Sequence, residues 1–597
     1  MLNRTLLLFF ILSTITLTSF AQVTYPPRIY GDSLHAPFYH GVASGDPLTN
    51  AVIIWTRISP APADYSPLTV NYQFATDSLF TSIISTGSII TDSSFDWTIK
   101  KDITGLSPNT IYYYRFDDGL GNYSTKGKTR TAPTGNIPEL KFAVFSCSSI
   151  FSGFFNGYAM VAEKSDSINA AIHLGDYIYD YVDAEEQVRV PLPYPTEPAN
   201  LEEWRDRHDY YLLDPDLRAA KASLPWIILW DNHDQECGGY SPCYVSPGTK
   251  AFLEWTPIRL PDTSNQLKIY RTLSYGSFAY IFIADILMFR ENDTLLNGEY
   301  NLLGTNQYNW LTQQLQASTA KWKIVGQQRM MGGWYTNGIS QWLLDLVPNN
   351  GPIFDDRSWD GYPGTKALFF DFLRTNFIDN VIVLSGDQHI SVAQDLVEDP
   401  NNISLYDPVT GNGSVGVEFL PTSITRGNLD EAGAPIGAAA IFTEFDMLAN
   451  PQHQFVDLYN HGYGLLHLRP DSTIAQFWYN HKLTFNSFDS LGATLIVKDT
   501  ENHWSRTSGF SFIDNPEKID FNIFPNPAND YLTIQFEEIP TNNIIIEVVD
   551  ALGKSYLHQS IANLNYGNLH LLDIRQIPAG LYLVRLNNWV IKKFIKQ

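Results

Sequence analysis

Five short runs of mainly apolar residues limit how this chain can fold: Phe142-Ala143-Val144-Phe145, Ala170-Ala171-Ile172-His173-Leu174, Trp226-Ile227-Ile228-Leu229-Trp230, Trp322-Lys323-Ile324-Val325 and Val381-Ile382-Val383-Leu384. Each ends in polar or glycine-containing residues. Runs this short, without polar alternation, fit strands buried on both faces, with helical segments such as Gln307 to Leu315 between some of them. The expected core is an α/β structure. Open sheets of that kind place their sites just beyond the carboxyl ends of the strands.

The polar fragments at those ends carry metal-ligand types. Ser146-Cys147-Ser148 follows the first run, Gly175-Asp176-Tyr177-Ile178-Tyr179 the second, Asp231-Asn232-His233-Asp234 the third and Gly386-Asp387-Gln388-His389 the last. Cys147, Tyr179 and His389 offer thiolate, phenolate and imidazole, which suit a small, strongly Lewis-acidic transition metal such as ferric iron. Asp176, Asn232 and Asp387 offer only oxygen, which suits a hard divalent cation such as calcium. Asp176 is the natural carboxylate to touch both ions, and Gly175 lets the backbone turn tightly before it. His233 reads as a donor to phosphate rather than a ligand, with Asp234 orienting its imidazole. In an extended segment alternate residues point the same way, so Asp387 can serve the oxygen-rich ion and His389 the iron-like one.

Taken singly these fragments are weak, since Asn-His-Asp is more often a surface turn and a lone histidine more often structural. Four of them in one order, all at strand ends, favour a two-metal phosphoester hydrolase. In that reading a hydroxide held between the two ions attacks phosphorus, and the ions neutralise the charge that develops during in-line displacement.

At 597 residues the chain is too long for one hydrophobic core, and three domains are expected. Asn3-Arg4, an apolar run from Leu6 to Leu17 and Ser19-Phe20-Ala21 read as an export signal over residues 1–21. No comparable apolar stretch follows, so the mature chain is expected to carry no transmembrane span. A net charge of -24 argues against stable nucleic-acid binding and sets an adverse long-range field for a phosphate-bearing substrate, which bound cations would have to reverse locally. Of three cysteines, Cys237 and Cys243 enclose a short loop and form a candidate disulfide in an oxidising compartment, with two reduced thiols as the alternative; Cys147 is left unpaired.

The flanking blocks read as all-β. From about Phe38 to Thr131, Val52-Ile53-Ile54-Trp55-Thr56, Leu68-Thr69-Val70-Asn71-Tyr72 and Ile111-Tyr112-Tyr113-Tyr114-Arg115-Phe116 are strand-like, as in a fibronectin-like or Ig-like sandwich spanning 22–135. The central catalytic block spans 136–512. After a break near Asn515-Pro516, a compact β module over 517–597 runs through Phe521-Asn522-Ile523-Phe524, Ile544-Ile545-Ile546-Glu547-Val548 and Gly580-Leu581-Tyr582-Leu583-Val584. The fold class expected is multidomain, a central α/β sandwich flanked by two β-sandwiches.

The central block resembles the PhoD-type alkaline phosphatase/phosphodiesterase family of the metallophosphoesterase superfamily. The likeness extends to Gly41-Val42-Ala43-Ser44-Gly45-Asp46-Pro47 with Ile54-Trp55-Thr56-Arg57, to Trp322-Lys323-Ile324-Val325-Gly326-Gln327-Gln328 and to Trp359-Asp360-Gly361-Tyr362. It implies ferric iron on Cys147, Asp176, Tyr179 and His389, and calcium on Asp176, Asn232 and Asp387, with other divalent metals as alternatives. Gln328 stands where related enzymes place a metal-binding histidine, which implies ligation directly or through water. Leu287 replaces a frequent arginine. Arg290 is a candidate phosphate contact, with a structural ion pair equally consistent. The signal lacks the twin arginines found in many relatives, which points to general secretion; the terminal block resembles the type A sorting domain of the type IX secretion system of Bacteroidota, which implies recognition by outer-membrane export machinery and then release or surface display.

The expected activity is hydrolysis of phosphate monoesters or diesters. Two alternatives remain at this level: a surface binding protein on a degenerate phosphatase fold, and a monoesterase like the purple acid phosphatases. Cysteine instead of aspartate in the first fragment argues against the latter.

Overall fold

The fold was obtained as a computed structural model, which describes residues 30–181, 188–189, 197–235, 244–294, 300–335, 355, 357–428, 449–486, 488–506, 521–536, 544–550, 555–561, 569–586 and 590–597. The expected export signal, Cys237 and Cys243 lie outside the described residues. Among the described residues no helix is long and apolar enough to cross a membrane.

The amino-terminal block contributes β1 (Val42–Gly45), β2 (Ala51–Arg57), β3 (Leu68–Ala75), β4 (Ile83–Thr91), β5 (Thr98–Thr104), β6 (Ile111–Asp117) and β7 (Gly127–Arg130). In β6, Tyr112, Tyr114 and Phe116 are buried while the residues between them are half-buried, the period of two expected of a strand with one covered face. A four-stranded sheet runs β4-β3-β6-β7. Its inner face shares a core with β1, β2 and β5 through Val52, Ile54, Val70, Phe74 and Tyr114.

The central block adds β8 (Leu140–Phe145), β9 (Ala170–His173), β10 (Pro225–Ile228), β11 (Arg271–Tyr275), β12 (Ala279–Ile283), the short pair β13 (Glu291–Thr294) and β14 (Tyr300–Asn301), β15 (Trp322–Gly326), β16 (Val381–Leu384), β17 (Ser391–Asp395), β18 (Val417–Leu420), β19 (His453–Asp457), β20 (His461–Leu468), β21 (Ser472–Asn480), β22 (Ser490–Lys498) and β23 (Ser505–Arg506). All five apolar runs named above form strands. Two large sheets result, ordered β23-β22-β21-β20-β8-β9-β10-β1-β2-β5 and β11-β12-β15-β16-β18-β17-β19. Within the first, β8, β9 and β10 are parallel; within the second, β12, β15, β16 and β18 are parallel. The sheets face each other, with Phe142 edge-on to Tyr275 at 5.1 Å and Phe419 against Phe477 at 4.7 Å. Helices Thr305–Ala317 and Pro363–Thr375 cover the far side of the second sheet with Leu311, Leu315, Phe369 and Leu373. The helical stretch expected from Gln307 to Leu315 lies within the first of these.

The ten-stranded sheet crosses the boundary expected at residue 135. Ser44 and Gly45 of β1 pair in parallel with Pro225 and Trp226 of β10, so the amino-terminal block covers what would otherwise be an open edge of the central sheet. Buried polar contacts lock the join. Arg271 Nη2 lies 2.7 Å from Asp46, and Trp55 Nε1 donates to the Glu254 carbonyl at 2.8 Å.

At the carboxyl end, β24 (Phe521–Phe524), β25 (Tyr531–Phe536), β26 (Ile544–Asp550), β27 (Ser555–Ile561), β28 (Leu569–Asp573), β29 (Gly580–Leu586) and β30 (Val590–Lys596) form two sheets, β24-β25-β28 and β27-β26-β29-β30. They share a core of Phe521, Leu532, Ile534, Ile546, Val548, Val584 and Phe594.

Candidate metal centre

Loops that leave β8, β9, β10, β15 and β16 meet where the two sheets face, at the carboxyl ends of their parallel strands. Cys147 follows β8, Asp176 and Tyr179 follow β9, Asn232 and His233 follow β10, Arg329 follows β15, and Asp387 and His389 follow β16. The backbone there is unusual. Cys147, Asp176, Asp387 and His389 all have positive φ, at 55°, 50°, 67° and 58°, a region that non-glycine residues seldom occupy. Gly175, at φ 107°, admits no side chain, because a Cβ there would stand 2.7 Å from Asp231 Cβ. That close approach brings the β9 and β10 loops together.

Asp176 sits at the middle. Its Oδ2 lies 3.7 Å from Cys147 Sγ and accepts from Tyr179 Oη at 3.0 Å, while Oδ1 accepts from the backbone N–H of His233 at 3.3 Å. Tyr179 Oη is also 3.2 Å from His389 Nε2. His389 Nδ1 faces the Gly427 carbonyl at 2.8 Å. A carbonyl only accepts, so the ring proton resides on Nδ1 and the Nε2 lone pair is directed at the site, the arrangement typical of a ligating imidazole. Cys147, Asp176 and His389 bring ligand atoms within 4.8 Å of one another, and so do Asp176, Asp231 and Asp387.

The donor set fits cations. Burial, reinforced by Asp176 and Asp387, pushes the Cys147 thiol well above its ordinary value. Burial and Asp176 do the same to the Tyr179 phenol, and burial keeps His389 neutral. Asp231 is pushed up to about 8 by burial, against the pull of Arg329. Its Oδ2 is buried with no hydrogen-bond partner. A positive ion is the simplest way to relieve such crowding, and its loading would release protons from the thiol and phenol.

His233 stands beside this cluster, its ring 4.4 Å from that of Tyr179. Its Nδ1 is 2.6 Å from Asp180 Oδ1. Burial disfavours its charge, but Asp176 and Asp180 outweigh burial and raise it to about 9.

Two expectations need correction. Asp234 does not orient His233: its oxygens accept the backbone N–H groups of Tyr177, Ile178 and Asp231 at 3.2, 2.9 and 2.9 Å, clamping the β9 loop to the β10 loop. Asp180 is the carboxylate on the imidazole. Gln328 is committed elsewhere, its Oε1 accepting from Ile286 N and its Nε2 donating to the Trp230 carbonyl and Asp285. Arg290 donates to the carbonyls of Ile286 and Arg357 and lies over the Tyr362 ring. Sequence reasoning also passed over Asp231 and Arg329. Asp231 was within reach, since it heads the Asn232 fragment directly after an apolar run. Arg329 gave no signal, because one arginine after a strand is unremarkable.

The chain shares its organisation with known proteins. The PhoD-like phosphatase model matches residues 142–477, the PhoD-like phosphatase N-terminal domain matches 27–133, and a secretion system C-terminal sorting domain matches 522–597. Alkaline phosphatase D of Bacillus subtilis (strain 168) is 32% identical over 427 residues, spanning 66% of this chain and 70% of that protein. A solved structure of PhoD superposes with a TM-score of 0.69 at 28% identity, covering 80% of this chain and 94% of its own. With the family model matching more than half the chain, the chain belongs to the PhoD-like phosphatase family.

Proposed function

We propose that this chain is an exported, metal-dependent phosphohydrolase that cleaves phosphate monoesters, diesters or both at the centre around Asp176. Membership of the PhoD-like family makes it a phosphoric ester hydrolase, and its carboxy-terminal domain directs it outward by the type IX route. Its partners are accordingly a phosphoester substrate and that secretion machinery. In the finer assignment, Cys147, Asp176, Tyr179 and His389 hold ferric iron, and Asp176, Asn232 and Asp387, joined by Asp231, hold calcium. The observation that carries this reading is the convergence on one carboxylate of thiol, phenol and imidazole from one side and carboxylates from the other.

When bound, such ions supply Lewis acidity, making water nucleophilic near neutral pH and offsetting charge on the phosphoryl oxygens. The chain's own residues do the rest. Asp176 fixes the spacing of the two halves. With Nδ1 donating to Asp180, His233 carries an Nε2 proton for the departing oxygen in its imidazolium form, which the Asp180 carboxylate favours. As water adds to phosphorus and the P–O ester bond breaks, that proton neutralises the leaving alkoxide.

The same reading takes residues 1–21 as a signal peptide, 22–135 as an Ig-like sandwich, 136–512 as the catalytic domain and 517–597 as a small sorting sandwich. The test pairs elemental analysis with turnover of a chromogenic phosphodiester and monoester. Asp176→Ala is expected to lose both metal and turnover, whereas His233→Ala keeps metal and loses rate by about 10²- to 10⁴-fold. Full activity in a metal-free Asp176→Ala protein contradicts the proposal.

A further inference from the structure

The oxygen-lined half of the centre already contains a cation. Arg329 enters from the loop after β15 and is only 2% exposed. Its Nη2 donates to Asn232 Oδ1 at 2.9 Å and its Nη1 to Asp387 Oδ2 at 3.2 Å. The same guanidinium lies 3.6 Å from Asp231 Oδ1 and 3.5 Å from Asp355 Oδ2. Asn232, Asp231 and Asp387 are the groups that would join Asp176 around a hard divalent ion, and each presents an oxygen to this arginine. Asp355 and Gln388 brace the arrangement: Gln388 Nε2 donates to Asp355 at 2.9 Å and to Asp387 at 3.1 Å. Burial works against the charge of Arg329, yet the surrounding carboxylates more than compensate and keep it protonated.

A planar fork spread over several acceptors differs from a metal ion. Calcium draws its oxygens in to about 2.3–2.6 Å and needs six to eight of them. Two cations sharing Asn232 Oδ1 and Asp387 Oδ2 would repel each other across a buried space where water screens poorly.

Resting on the reading that Asp176 joins two cation positions, we propose that Arg329 is the resident cation of the oxygen-lined half and sets its selectivity. A divalent ion enters there only as the guanidinium withdraws from Asn232 and Asp387. That half therefore loads weakly and exchangeably, while the Cys147 half retains its metal. Arg329 acts here as a positioning residue, through the metal it admits.

Calcium alone, titrated calorimetrically into the transition-metal-loaded full chain, provides the test. Arg329→Met keeps length and apolar bulk without charge, and is expected to bind calcium at least about tenfold more tightly than the parent. Arg329→Lys keeps charge without the fork and is expected to stay within a few-fold of the parent. Equal or weaker calcium binding by Arg329→Met, with transition-metal content intact, overturns the proposal. If that variant fails to fold, crystals of the parent chain grown with calcium decide. Calcium on Asp387 with the guanidinium moved away supports the proposal; calcium with both arginine hydrogen bonds retained, or no calcium there at all, refutes it. Absence of transition metal beside Cys147 in the parent would instead overturn the two-position reading, so the two failures are distinct.

Discussion

At the scale of single residues, two aspartates near His233 have separate duties. Among the described residues the Asp180 carboxylate meets the His233 imidazole and the Tyr181 N–H, so Asp180→Asn is expected to leave the urea midpoint and metal content near parental values while lowering kcat about ten- to a hundredfold. Asp234→Asn is expected to act the other way, loosening the loop that carries Tyr179 and costing stability and metal together. Titrating urea unfolding and metal content for both variants separates the two. Sequence alone assigned the orienting role to the wrong aspartate because adjacency suggests contact, whereas a tight turn sends Asp234 inward and leaves Asp180, one residue beyond Tyr179, facing the ring. Lys221 is a second residue-scale case. It is buried with no hydrogen-bond partner, resting on the faces of Tyr177 and Trp226, and burial lowers it to about 7 from 10.5. Between about pH 7 and 10.5 the unfolded chain then binds the extra proton, so stability contributed by this site rises with pH across that window and is flat below it. Lys221→Met is expected to gain a few kcal/mol, on the order of 3, at pH 7 and to flatten the slope above it, as read from urea midpoints at pH 7 and 9.5. An unchanged slope would show that Lys221 is not held neutral at high pH.

At the scale of elements, the centre depends on how closely strand-end loops approach. Gly175→Ala puts a Cβ against Asp231 at a backbone conformation that alanine disfavours, and is expected to cost about 2 kcal/mol or more and to abolish metal retention on dialysis. Retained metal with parental stability would mean that the β9 and β10 loops have room to separate. The strands themselves were legible beforehand, because burial on both faces leaves uninterrupted runs such as Val381-Ile382-Val383-Leu384 that no amphipathic element produces. The candidate ligands stood out in the sequence because thiol, phenol, imidazole and carboxylate follow those runs in a consistent order. Gln328 misled for a physical reason: the sequence gives its position but not its competitors, and Ile286 N, the Trp230 carbonyl and Asp285 engage both ends of the amide. Arg329 stayed hidden because its significance lies in four partners distant in sequence.

At the scale of the whole molecule, the amino-terminal block is an extension of the central sheet as well as a unit with its own core. Pairing of β1 with β10 joins segments about 180 residues apart, a non-local contact that no periodicity announces. The buried Asp46–Arg271 pair holds that join, so Asp46→Ala, which leaves Arg271 buried without its carboxylate, is expected to cost about 3–5 kcal/mol and to lower the unfolding of both blocks together. Separate transitions, with only the amino-terminal one shifted, would contradict this coupling. The acidity of the chain, net -24, fits the same picture, since a phosphoester approaching it meets favourable charge only where cations and arginines gather. In the proposed mechanism, turnover requires a transition metal at Cys147 that shares Asp176 with a second cation position. Anomalous diffraction at the iron edge from crystals of active, purified protein measures this directly. A peak within bonding distance of Cys147 Sγ, Tyr179 Oη, His389 Nε2 and an Asp176 oxygen is the predicted result; active crystals with no transition-metal peak beside Cys147 would contradict it.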